Sequence, residues 1–212
     1  MNQQVELKKR QVEFGSNILG MISLIILGNI LGDNGVVYIA FAFEVYLFFR
    51  TIISSGFSDT LGRLLRGRTS KGQYKNAAKL KRNAFILETA AGAAVSVLVL
   101  TIAGIVGERL LGIRYCTAMI CILAPGILLH AMVSILLGYF QAEGTELPTV
   151  ISYVMRQVCI FLFALLFSKL LGEYGRKVSA LLRQENFTAM YSGMGVALAI
   201  TISELLVLLF LF

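Results

Sequence analysis

The 212-residue chain is 57% hydrophobic and only 15% charged, with a mean hydropathy of +0.79. Soluble domains carry about a quarter charged residues, so this composition excludes a water-soluble globular protein and points to helices in a bilayer. The net charge of +7 does not signal a nucleic-acid partner, because the basic residues fall between apolar blocks, where the positive-inside bias puts them.

In chain order, a polar N-terminus carries Lys8, Lys9 and Arg10 ahead of a first apolar helix predicted over 12–31. Gly28 and Gly32 end that helix in a GxxxG pattern, which favours close helix approach. Gly32-Asp33-Asn34-Gly35 then reads as a tight turn before a second helix over 36–54. The connector 57–82 is the most basic stretch, with Arg63, Arg66, Arg68, Lys71, Lys75, Lys79, Lys81 and Arg82 against the single acid Asp59. Leu61, Leu64 and Leu65 recur at helical spacing within it. The expectation is an interfacial amphipathic helix, leucines in lipid and arginines among headgroups.

A third helix is predicted over 84–106, where the small-residue run Ala90-Ala91-Gly92-Ala93-Ala94 suggests tight packing against a neighbour. Helices over 116–140, with Pro125 inside, 148–171 and 187–212 follow, the last two separated by a mixed-charge loop at 172–186. The expected architecture is an all-α, six-helix transmembrane bundle forming one unit over 1–212, with the lipid bilayer as its first partner. Cys116, Cys121 and Cys159 lack ligand spacing and His130 is the sole histidine, so neither a metal nor a cofactor is indicated. With no GxGxxG, P-loop or HExxH pattern, and no soluble segment long enough for a nucleotide domain, the sequence does not read as an enzyme.

Lysines and arginines on alternate sides of these helices number eleven, on the side of the N-terminus, against six. The expected orientation is an N-terminus in the cytoplasm.

Beside these readings stand two motifs. Ala124-Pro125 in the fourth helix is followed by Gly138-Tyr139-Phe140-Gln141, then Pro148-Thr149 with Ser152 and Gln157. Upstream, Lys71-Gly72-Gln73-Tyr74-Lys75-Asn76-Ala77 precedes the third helix, and Gly56 follows the second. In order and spacing these resemble the multidrug/oligosaccharidyl-lipid/polysaccharide (MOP) flippase superfamily, in its polysaccharide and lipid-linked oligosaccharide branch. That resemblance implies one lobe of a twelve- to fourteen-helix transporter, N-terminal by its motifs. It implies alternating access around a cavity shared with a second lobe or partner chain, in a bacterial cytoplasmic membrane. The implied substrate is a lipid-linked glycan or another amphiphile. The chain departs from the pattern in three places. Its first helix lacks the arginine that lipid II flippases of the superfamily place there, Leu137 stands where an arginine often precedes the GYFQ motif, and Arg156 stands where a glutamate often precedes the glutamine.

An ionisable side chain at the bilayer centre costs about 2.5–3.5 kcal/mol, so those inside the predicted helices need a reason. Glu44, Arg50, Glu88, Arg156 and Glu204 are the candidates for a water-lined substrate cavity, with Gln157 beside them and Pro125 as a candidate hinge. Arginine suits a phosphate-bearing headgroup because its planar fork donates two hydrogen bonds at once. Internal ion pairing, or snorkelling of Arg50 and Glu88 toward the nearby interface, is the plain alternative. Two other functions fit the same bundle: a multidrug or toxin extruder with an acidic cavity, and a non-transporting membrane partner of a polysaccharide-biosynthesis complex.

Overall fold

The computed structural model describes residues 3–54, 57–145, 147–184 and 186–212, with side chains from Phe14 onward except those of residues 16, 17, 19, 23, 24 and 59. The side chains of Lys8, Lys9, Arg10 and Asp59, and all of Gly56, lie outside the described residues.

The elements are α1 (Gln3–Ser54), α2 (Phe57–Thr69), α3 (Tyr74–Gly104) ending in a π-helical turn (Ile105–Leu110), α4 (Cys116–Ala142), α5 (Leu147–Leu182) and α6 (Asn186–Leu211). The described residues contain no strand. Five helical segments among them are long and apolar enough to cross a membrane: Ile25–Ser54, Tyr74–Leu110, Cys116–Ala142, Leu147–Leu182 and Asn186–Leu211. This is a multi-pass, all-helical membrane protein.

At Gly32 the helical course of α1 breaks, with φ 68° and ψ 171°. Only glycine takes up such a conformation without steric cost. The break turns the chain back on itself: a Cβ on Gly28 would stand 3.9 Å from the Val36 side chain, which in one straight helix lies about 12 Å further along.

The centre is α4, which touches α1, α2, α3 and α6. It carries no aspartate, glutamate, lysine or arginine and most of its residues are buried, the composition expected of a central helix. Leu123, Met119 and Ile127 anchor one apolar cluster with Val99 of α3 and Ala197 of α6. Val133, Ile135 and Leu137 anchor a second, at the end carrying α2, with Val207 and Leu211 of α6.

Three sequence expectations change. Leu61 and Leu65 of α2 do not lie in lipid; they are buried in that second cluster, and Leu64 alone of the three is exposed. The reason is close approach: Gly62 and Gly138 let α2 lie against the α4 backbone, a Cβ on Gly138 falling 2.9 Å from the Ser58 carbonyl oxygen. Second, α3 begins at Tyr74 rather than 84, because Lys75 to Arg82 are, Asn76 apart, good helix formers and the turn before them is made by Gly72 at φ 69°. Third, the loop expected at 172–186 is mostly helix. Gly172 and Gly175, inside that expected loop, admit α6: a Cβ on Gly175 would stand 2.9 to 3.0 Å from Tyr191, Phe187 and Thr188. The reversal comes at Arg183, in the left-handed region at φ 53°. Ser179 Oγ secures it by accepting the Thr188 N–H at 3.1 Å.

Candidate functional site

Four helices bring polar side chains to one point in the bundle. From α6, Glu204 enters with its side chain 2% exposed. The Arg156 guanidinium of α5 donates to its Oε2 at 3.1 Å. His130 Nδ1 of α4 lies 3.3 Å from the same carboxylate, and the Tyr46 hydroxyl of α1 donates to Oε1 at 3.4 Å. Arg50, one turn beyond Tyr46, completes the group at 3.9 Å.

Local sequence explains why these positions can meet. Gly126 of α4 leaves room for the Tyr46 ring, an atom of which lies 3.3 Å from where a Cβ would be. Thr201, one turn before Glu204, donates to the Ile122 carbonyl at 2.9 Å, tying α6 to α4 beside Pro125. On the other side of α4, Ser96 of α3 donates to the Ala124 carbonyl at 2.9 Å. Glu204 is thus held at a fixed depth between α1, α4 and α5.

The charges do not cancel. One carboxylate faces the guanidinium groups of Arg50 and Arg156, which leaves an excess of positive charge before His130 is counted. Arg156 is buried, and its Nε has no hydrogen-bond partner among the described residues. Arg50 is 23% exposed, so the cluster is sealed on the Arg156 side and open on the Arg50 side. Each guanidinium also lies near an aromatic face, Arg50 by Tyr46 at 5.8 Å and Arg156 by Tyr153 at 5.9 Å. Chemically, such a group can hold an anion in place of, or alongside, the carboxylate already there.

Of the residues singled out in the sequence, Arg50, Arg156 and Glu204 come together. Gln157 faces the other way, its amide 3.6 Å from the Cβ position of Gly20 in α1. Glu44 is exposed on the far side of α1, on one face with Phe41 and Phe48. Glu88 of α3 stands apart, only 3% exposed and with Oε1 unpartnered among the described residues. Pro125 is exposed within an α4 that stays helical from Cys116 to Ala142. A hinge there would have to work against the hydrogen bonds from Thr201 and Ser96 on either side. Tyr46 and His130 were not legible as partners: each reads as an ordinary member of an apolar block. A lone histidine in an otherwise uncharged central helix was the available signal.

Comparison with known proteins adds to this geometry. A family model described as polysaccharide biosynthesis protein matches residues 11–211. The lipid II flippase MurJ of Bacillus subtilis (strain 168) is 24% identical over 158 residues, covering 71% of this chain and 29% of MurJ. The chain therefore spans less than a third of that relative's length. No solved structure matches significantly.

Proposed function

Since the chain belongs to the polysaccharide biosynthesis protein family of the MOP flippase superfamily, we propose that it moves lipid-linked oligosaccharide or polysaccharide precursors across the bacterial cytoplasmic membrane by alternating access. The single observation behind the reading is the Glu204 cluster: a positive excess inside a membrane bundle, buried at Arg156 and open at Arg50. A pyrophosphate-linked glycolipid carries the charge that such a site lacks. An extruder of organic cations would need the opposite sign, and Glu204 is already outnumbered by its guanidinium partners.

On this reading the two arms of α1 on either side of Gly32 both cross the bilayer, which makes six crossings. The chain acts as one lobe, and the second lobe comes from further polypeptide or from a partner chain. The N-terminus and the basic end that carries α2 lie in the cytoplasm, where the positive-inside bias favours them. Arg50 and Glu44 then face the cavity between lobes. No covalent chemistry is assigned to any residue.

The test is transport by the complete assembly reconstituted in vesicles, with a fluorescent lipid-linked pyrophosphate glycan. Arg50→Ala, which leaves the sealed Arg156–Glu204 pair in place, should lower flipping by at least about tenfold if the residue supplies one charge-assisted contact in the cavity. Flipping at the unaltered rate with Arg50→Ala and Arg50→Glu would remove the cluster from substrate handling.

A further inference from the structure

A second feature lies well away from the Glu204 cluster, at the end of the bundle carrying α2. A groove of about 520 Å³ opens there between α3, α4 and the end of α6. Its walls are Phe85 and Ile86 of α3, Leu136 of α4 and Phe212, and its rim carries Lys81 and Arg82. Ile86 is 55% exposed, and Phe85 meets Phe212 edge-on with ring centroids 6.4 Å apart.

The rim is ordered rather than merely basic. Lys81 Nζ lies 4.5 Å from the centre of the Tyr139 ring and 3.5 Å from Glu143, while the Tyr139 hydroxyl donates to the Lys81 carbonyl. Arg82 is exposed and forms no ion pair among the described residues. Residues 75, 78, 82 and 85 recur at helical spacing, so Lys75 and Arg82 continue one stripe of α3 outward from Phe85. Side chains on a helix lean toward its N-terminus, which aims Arg82 out of the hydrocarbon and toward the headgroup layer.

We infer that this groove is a binding site for an anionic phospholipid, with an acyl chain along Phe85, Ile86, Leu136 and Phe212 and the phosphodiester at Arg82. The occupant follows from complementarity. An apolar channel capped by a cation that pairs with no described carboxylate matches one apolar chain bearing one negative head, and the groove opens where basic residues draw anionic lipid. The inference uses the orientation proposed above only to say which leaflet supplies the lipid. The site would serve as an anchor that fixes α3 and α6 relative to the membrane surface.

The chain contains no tryptophan, so Phe85→Trp and Ile86→Trp each place a sole indole in the groove. The full chain is reconstituted in vesicles carrying acyl-brominated phosphatidylglycerol or acyl-brominated phosphatidylcholine in both leaflets, and indole quenching is titrated against mole fraction. Because both leaflets carry the lipid, neither orientation nor transport activity enters the readout. Brominated phosphatidylglycerol should occupy the groove about fivefold more readily than phosphatidylcholine, one basic side chain's worth of surface attraction. Arg82→Gln should bring the two lipids to parity. A sole indole at Leu162→Trp, on the outer side of α5, should show no headgroup preference. Equal quenching by both lipids in both groove variants overturns the assignment. So does quenching by neither, which would mean that protein covers the groove, and so does a preference that survives Arg82→Gln.

Discussion

Arg156 and Glu204 lie 48 residues apart in the chain, yet their guanidinium and carboxylate meet at 3.1 Å with both side chains almost removed from solvent. A pair buried this deeply stabilises little compared with a well-packed apolar pair, but removing one partner strands the other's charge. Glu204→Ala should therefore destabilise the bundle by about 3–5 kcal/mol, whereas a Glu204→Leu and Arg156→Met double variant should regain part of that loss, the Arg156 charge being gone while Tyr46, His130 and Arg50 still lack the carboxylate. Thermal unfolding in detergent measures both. Additive losses in the double variant would show that the two groups are not coupled.

Much of this pairing was half legible. An arginine and a glutamate inside apolar runs announce themselves, since each needs a reason to be there. Which helices face each other is a tertiary fact, however, and neither periodicity nor composition carries it. The glycines show the same limit from the other side. Gly32 read as a turn and is one, with a positive φ that demands it. Gly172 and Gly175 carry the same letter but serve contact between α5 and α6, so α5 runs on where the sequence suggested a loop. The leucines of α2 were legible as an apolar stripe. That the stripe meets α4 rather than lipid depends on Gly138, far off in the chain.

That difference among glycines gives a paired prediction. A Cβ on Gly195 would stand 2.6 Å from the backbone of Phe167 and Ser168, and backbone cannot move aside as a flexible side chain can. Gly104 in α3 has none of the described residues' neighbouring atoms within 4 Å of its Cβ position and helical dihedrals of −65° and −41°. Gly195→Ala should destabilise the α5–α6 pair by about 1–3 kcal/mol through overpacking. Gly104→Ala should stabilise by about 0.5–1 kcal/mol through its helix propensity. Opposite shifts in melting temperature are the expected result.

The exposed face of α1 supports a test of the shared cavity. Glu44 and Phe48 lie on that face, and Phe48 is 62% exposed. On a lipid-facing surface a cysteine stays unreactive to a charged maleimide, because the thiolate forms only in contact with water. In a background lacking the three native cysteines, Glu44→Cys in the complete assembly should react roughly tenfold faster than Leu162→Cys on the outer side of α5. Equal, slow labelling at both positions would put Glu44 against acyl chains and remove it from the cavity.

Glu88 poses the sharpest question, because its burial has no visible return in stability. The side chain sits in α3 at 3% exposure, and its Oε1 lacks a hydrogen-bond partner among the described residues. A buried polar group left without a partner costs about 1–3 kcal/mol, so Glu88→Met, which keeps the volume and removes the polarity, should raise stability by that amount. If folding alone decided the residue, transport by the complete assembly would be unchanged or improved. Retention of a costly carboxylate is instead what a working site exacts, stability being given up where activity needs the group. The expected outcome is a higher melting temperature together with lower flipping for Glu88→Met. A variant that melts higher and flips at the original rate would reduce Glu88 to an imperfection of the core.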